Sequence, residues 1–150
     1  MIQTINMATI QEALLEALKE SPEIKRFCMD KYGRELLTLG LYNPRKPITV
    51  EECPVVVLIP HSKEEGDDLE VYRYQLGAAL QISPSTQEDA VKELHELSGL
   101  VYYALSHARE GRPLSEFSAE FNHIDHQPLH AAYLDITYEI SPSIGGTLEF

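Results

Sequence analysis

The chain has no tryptophan and only two cysteines, Cys28 and Cys53, among its 150 residues. Two cysteines cannot make the disulfide framework that holds many small secreted domains together. We therefore expect both to be buried, small apolar residues in a reducing compartment. With 43% hydrophobic residues, a chain of this length can bury a core of its own as a single domain.

Basic residues are also scarce, since 12 lysines and arginines face 24 acidic residues and give a net charge of −12. They form no cluster longer than the pairs Lys25–Arg26 and Arg45–Lys46. A surface that binds a nucleic-acid duplex needs many phosphate-neutralising cations on one face. We therefore predict that the protein does not bind nucleic acid directly.

Long apolar runs are missing too. The longest, Val55–Ile59, is far shorter than the roughly 20 residues that a membrane-spanning helix needs. The N-terminal segment has neither a basic start nor an apolar centre, so it does not resemble a signal peptide. We expect a soluble domain without a membrane partner.

Sequence signatures of catalysis are absent. No glycine-rich phosphate-binding motif occurs, and Ser98–Gly99 lacks the flanking glycine of a nucleophile elbow. His95–Glu96 lacks the second histidine of a zinc-protease helix, because Gly99 stands in its place. We predict no catalytic residue, no bound metal and no cofactor.

One group of histidines keeps an alternative open. The residues His123, His126 and His130 have the spacing H-x-x-H-x-x-x-H, and imidazoles at such spacings can converge on zinc. However, Pro128 interrupts any helix and His130 begins a predicted strand, so the helical geometry that would aim the rings together is missing. We predict loop histidines without metal, and keep a small metal-dependent enzyme using these three residues as the alternative.

What the chain does have is strong periodicity. In His130–Ile140 the apolar residues Ala132, Leu134, Ile136, Tyr138 and Ile140 recur with period two, which predicts a half-buried strand. Val55–Ile59 is apolar on both faces and is flanked by Pro54 and Pro60, which is typical of an interior strand covered on both sides. Further strands are predicted within Leu36–Leu41, Leu69–Ile82 (with a bulge or bend at Gly77) and Ser118–His123. A polar turn is predicted at His61–Asp68.

Apolar residues at helical spacing predict three helices, at about Thr9–Glu20, Pro22–Tyr32 and about Thr86–Arg109. Capping boxes at Thr9–Glu12 and Ser85–Glu88 indicate where the first and third begin. Ser21 and Gly33 are suited to the two ends of the second. Gly99, in the middle of the third helix, predicts a close approach by another backbone.

These elements favour a single α+β domain, with an antiparallel or mixed sheet and its helices packed on one face. The tail at about 141–150 is expected to be mobile. One layer of helices leaves the second sheet face uncovered, so we expect another subunit to cover it. The expected interface residues are Val71, Arg73, Gln75, Tyr133, Asp135 and Thr137. A partner-facing acidic loop is expected at Glu64, Glu65, Asp67 and Asp68.

The elements follow one another in a recognisable order. An amphipathic helix ends near Glu20, and the strands P-V-V-V-L (54–58) and Y-R-Y-Q-L (72–76) follow. A predicted helix that contains tyrosines comes after Ser85, and the last predicted strand contains A-A-Y-L-D-I-T-Y-E (131–139). In this order, and above all in the alternating Leu/Ile and I-T-Y-E ending of its last strand, the chain resembles the tail terminator (minor tail) proteins of lambda-like long-tailed bacteriophages. It departs from them in the helix Pro22–Tyr32, the turn region Asn43–Pro47 and the glycine-rich tail.

The resemblance implies a structural role in a phage or prophage tail. Proteins of this family form a ring, usually a hexamer, that caps the tail tube and offers the surface on which the head docks. The implied partners are other copies of the chain, the tail tube protein and the head–tail connector proteins, without a cofactor. The implied location is the bacterial cytoplasm on expression and the virion tail after assembly. The departures leave open a terminator, a tail completion protein or a connector-like relative, and a non-viral oligomeric interaction module of the same fold is a further alternative.

Overall fold

The computed structural model describes residues 7–41, 43–65, 72–84, 86–108, 116–125 and 127–140. These residues form three α-helices and five strands. In order they are α1 (Met7–Glu20), α2 (Pro22–Tyr32), β1 (Leu37–Leu39), β2 (Val55–Glu65), β3 (Tyr72–Ile82), α3 (Ala90–Ser106), β4 (Glu116–Asn122) and β5 (His130–Ile140). A short 3-10 helix, Val50–Glu52, precedes β2.

The second helix has the ends that its sequence predicts. The Ser21 hydroxyl accepts a hydrogen bond from the Ile24 amide at 3.3 Å, which satisfies one of the free donors of the first turn. At the other end, Gly33 adopts a left-handed conformation with φ of 68°, where a side chain would be strained. No helix in the described part of the chain is long and apolar enough to cross a membrane.

The starts of the other two helices correct the predictions. Thr9 lies inside α1, which already includes Met7, so the box at Thr9–Glu12 does not start that helix. α3 begins only at Ala90, after a turn in which the Thr86 hydroxyl donates to the Asp89 carboxylate at 2.8 Å. This hydrogen bond between side chains stabilises a separate turn, and the helix begins only after it. Ser85, the other predicted cap, lies outside the described residues.

The sheet has the strand order β1-β2-β3-β5-β4. β1 runs parallel to β2, and every other pair is antiparallel, so the sheet is mixed. Apolar residues of all three helices form one buried cluster with the strands on one sheet face. The predicted α+β fold, with helices on one face, is thereby confirmed.

The hairpin of β2 and β3 is longer than predicted. Residues 61–65 continue β2 and pair with β3 as far as Tyr72, so the predicted turn at His61–Asp68 is wrong for its first half. The partner residues of β3 in this region, Tyr72 to Gln75, are also paired with β5, so the extension belongs to the sheet itself. The bulge predicted at Gly77 of β3 occurs instead on the neighbouring strand β2. Gly77 is in register with Ile59, and His61 is the extra residue between Pro60 and Ser62.

The second sheet face is covered by the chain itself at one side. Cys53, Val55, Val57 and Leu129 form a second buried cluster, against which Ile48 packs. The expectation that only another subunit could cover Val55 and Val57 is therefore wrong. The segment between β1 and β2 and the end of the β4–β5 connection fold over that part of the sheet. Both cysteines are buried and free, and burial raises the pKa of each thiol to about 11.

Candidate interaction surface

An open groove of about 530 Å³ runs over the middle of the second sheet face. Its lining is mostly apolar and comes from β2, β3, β5 and the segment before β2. The lining residues are Ile48, Val57, Ile59, His61, Gly77, Ala78, Ala79, Gln81, Tyr133, Leu134 and Asp135. We call this feature the sheet groove.

Small residues on β3 create the sheet groove. Ala79 is in register between Val57 and Tyr133, and Gly77 lies between Ile59 and Asp135 in the same way. The flanking strands therefore carry larger side chains than the strand between them, and a trough results. At its end the His61 ring lies 3.7 Å from where a β-carbon on Gly77 would stand.

The predicted interface residues differ in how available they are. Tyr133 is 40% exposed, and both it and Asp135 line the sheet groove. Gln75 accepts a hydrogen bond from the Ser62 hydroxyl at 2.8 Å. Thr137 is only 5% exposed and so offers little surface to a partner. Val71 lies outside the described residues.

Arg73 is engaged within the chain. Its Nη2 lies 3.1 Å from Glu116 of β4 and its Nε lies 3.4 Å from Glu139 of β5. The Nε contact is an ion pair by distance only, since that nitrogen makes no hydrogen bond. Exposed pairs of this kind contribute at most about 1 kcal/mol each. Arg73 thus links three strands at one end of the sheet.

The predicted acidic loop is only partly described. Glu64 and Glu65 lie in β2, paired with Arg73 and Tyr72 of β3, so they belong to a strand and not to a loop. Asp67 and Asp68 lie outside the described residues. A partner contact by these four acids stays a prediction.

The structure brings two of the three histidines together, although the sequence predicted no such convergence. Nδ1 of His123 lies 2.9 Å from Nδ1 of His130, and Nε2 of His130 lies 2.8 Å from Oε1 of Gln87. β4 and β5 pair as far as Asn122 and Ala131, which places the residues just beyond the pair side by side. The feature that brings the two histidines together is therefore the pairing of β4 with β5, and not helical spacing. His126 lies outside the described residues.

The geometry of this contact is that of a hydrogen bond. The ring centroids are 5.0 Å apart, close to the largest separation that a 2.9 Å nitrogen contact allows, so each Nδ1 points almost straight at the other. Two imidazoles on a tetrahedral zinc, with bonds of about 2.0–2.1 Å, would hold their nitrogens about 3.3 Å apart on converging axes. With Gln87 accepting from Nε2 of His130, the remaining proton lies on Nδ1 of His123. No group of three candidate metal ligands occurs among the described residues.

Burial, and then the neighbouring His123, lower the pKa of His130. His130 is only 2% exposed, so a charge on its ring would be poorly hydrated. The neutral form is also the form that can accept the proton of His123. The pair therefore favours neutral imidazole at His130.

The same loop presents an apolar residue that the sequence reasoning missed. The Asn122 side-chain oxygen accepts hydrogen bonds from the amides of Ile124 and Asp125, each at 3.0 Å. Gln127 donates to the His123 carbonyl at 2.8 Å. At the tip of this cross-linked loop Ile124 is 80% exposed. Its exposure depends on the loop conformation, which no periodicity in the sequence encodes.

Comparison with known proteins finds no family model that matches the chain and no curated protein that matches it.

Proposed function

We propose that the chain is a structural protein of a phage or prophage tail that assembles into a ring. The ring, of six copies by the resemblance, caps the tail tube and provides the surface on which the head docks. The resemblance in element order and in the last strand supports the tail role. The single structural observation that supports self-assembly is the sheet groove, an open apolar surface on a face that the helices do not cover.

The sheet groove supports assembly because open apolar surface is costly in water. Ile59 and Ala79 pack only partly against the chain's own second cluster, and Tyr133 is 40% exposed beside them. Apolar area removed from water contributes roughly 25 cal/mol per Å². Contiguous apolar surface with a polar rim is typical of protein contact sites. A neighbouring copy that covers the groove would complete the burial that the chain's own segment begins at Val55 and Val57.

The partners in this proposal are the chain itself, the tail tube protein and the head–tail connector proteins. The assembly needs no cofactor, and the chain is placed in the bacterial cytoplasm before it joins the virion tail. A terminator, a completion protein and a connector-like relative all share this ring. They differ in which tube or head protein co-sediments with it.

The test changes one residue in the sheet groove. Ala79→Arg puts a charged, bulky side chain on the groove floor, and we expect at least a tenfold weaker self-association by light scattering over a wide concentration range. Val91→Arg is the matched control, because Val91 is an exposed apolar residue on α3 in the opposite layer. Circular dichroism checks that both variants fold. A wild-type chain that is strictly monomeric, and that also fails to associate with tail tubes, would contradict the proposal.

The contact of His123 with His130 is the one observation that bears on the alternative of a metal-dependent enzyme. Its head-on geometry favours the hydrogen bond, so that alternative is second. Elemental analysis without bound metal, together with a melting temperature that added zinc does not change, would remove it. A non-viral interaction module would show the same self-association, and the absence of tube and tape-measure genes nearby would favour it.

A further inference from the structure

We propose that ring contacts are made head to tail, with Ile124 of one copy inserted into the sheet groove of the next. The inference rests on the proposed function and names the two surfaces that the ring would join. The groove side is formed by Ile48, Val57, Ile59, Ala79 and Tyr133. The other side is the loop between β4 and β5, with Ile124 at its tip.

The loop is built to hold Ile124 in one place. The Asn122 side-chain oxygen holds the backbone at the tip by accepting hydrogen bonds from the Ile124 and Asp125 amides, each at 3.0 Å. Its side-chain nitrogen also donates to the Asp125 carboxylate at 2.9 Å. The link from His123 through His130 to Gln87 anchors the loop to the turn before α3. A loop whose backbone is ordered before binding loses little conformational freedom on association.

Ile124 does not fill the groove of its own chain. The groove is lined by β5 residues from Tyr133 to Asp135, over the middle of the sheet, and Ile124 is not part of its lining. The loop lies beyond the end of the β4–β5 pairing, at Asn122 and Ala131. Docking an exposed apolar residue of one copy into an apolar groove at a different place on the next gives a heterologous contact, and such contacts form a ring when the rotation between copies closes.

Charge favours the same pairing. Asp125, beside Ile124, and Glu120, on β4, are both exposed acids. On the groove side, the exposed Arg45 and Lys46 precede Ile48 in the segment that borders it. The basic pair is one of few in a chain of net charge −12. Docking the acidic loop beside it brings opposite charges together, which increases the association rate and selects orientation.

The border of the groove offers apolar area in addition to the groove itself. Leu41 and Val50, in the same segment as Ile48, are exposed large hydrophobic residues. A stable interface buries about 800 Å² on each partner, which one isoleucine cannot supply. Ile124 would therefore be the central anchor of a contact whose remaining area comes from Leu41, from the segment at 43–50 and from Tyr133.

The experiment uses one variant on each side. Ile124→Asp and Ala79→Glu, which put like charges on the two surfaces, should each reduce self-association at least tenfold, while the conservative Ile124→Leu should assemble as the wild type does. When the two defective variants are mixed, each brings one intact surface. We expect the mixture to form a dimer by native mass spectrometry, and no larger ring, because the contact joining the two intact surfaces can form only once per pair.

The outcomes separate the inference from the proposed function. If the wild type forms rings and Ile124→Asp forms them equally well, the head-to-tail contact is overturned while the ring stands. If the mixture yields no dimer although both variants are folded by circular dichroism, the pairing of these two surfaces is overturned. A wild type that stays monomeric at all concentrations overturns the ring itself and the contact with it.

Discussion

The two faces of the sheet carry similar alternating patterns but differ in what covers them. On the helix-covered face the residues of β3 and β5 are buried throughout, from Leu76 to Ile82 and from Ala132 to Tyr138. On the other face burial falls across the sheet, from 0% exposure at Val55 to 40% at Tyr133. The difference teaches that the first face is the folding core, whereas the second is closed over Val55 and Val57 and open around Tyr133 and Asp135.

The largest difference in the free energy of unfolding is expected between substitutions at two neighbouring positions of β5. Leu134→Ala, on the helix-covered face, should lower the free energy of unfolding by about 2–5 kcal/mol, because it leaves a cavity in the core. Asp135→Ala, the next residue but on the open face, should change it by no more than about 0.5 kcal/mol. Denaturant unfolding of both variants measures the contrast. Equal losses would mean that the open face is as much a part of the core as the other.

Local patterns predicted the first face well and the second face poorly. Period-two alternation is sufficient to place Leu134 and Tyr138 inside, because a strand has only two sides. It cannot say what lies over Val55 and Val57. Their cover comes from Ile48 and Leu129, which lie in irregular segments without periodicity, so the burial of those valines was assigned to a neighbouring subunit.

The candidate interaction surface was likewise predictable from the sequence only in its strand residues. Tyr133 and Asp135 were named from strand parity alone, and both line the sheet groove. Ile124 and the approach of His123 to His130 depend on how a loop closes. That closure follows from strand pairing and from the side-chain bonds of Asn122, which a single sequence does not display as a period.

A smaller effect on stability is expected from pH, through His130 at the end of the loop between β4 and β5. In the folded chain the pKa of His130 is lowered below its ordinary value of 6.5, so the unfolded chain binds a proton more readily. The stabilisation linked to His130 is therefore complete above about pH 6.5 and is lost as the pH falls through the folded pKa. The groups that contact His130 are His123 and Gln87, and neither carries a negative charge that would offset a charge on the His130 ring.

The measurement compares pH profiles of unfolding. Between about pH 7.5 and 5.5, the wild type should lose more stability than His130→Asn, which has no titrating group at that position. His107→Gln, an exposed histidine at the end of α3, serves as the control and should keep the wild-type slope. The lowered pKa of Glu52 acts only below its ordinary value of 4.5 and does not overlap. Parallel profiles for the wild type and His130→Asn would show that the histidine pair does not stabilise the loop.

The smallest effect on stability should accompany a clear effect on assembly. Gly77→Ala adds a methyl group to the groove floor, where it meets the His61 ring at an ordinary contact distance of 3.7 Å. Replacing glycine in a strand should leave stability unchanged or raise it by up to about 1 kcal/mol, while the filled floor weakens self-association. Gly99→Ala is the control, because a β-carbon there meets nothing within 4 Å, contrary to the close approach predicted at that position. It should stabilise α3 by about 1 kcal/mol and leave assembly unchanged. If both variants assemble alike in light scattering, the groove floor does not contact a neighbour, and the open face differs from the covered one only in exposure.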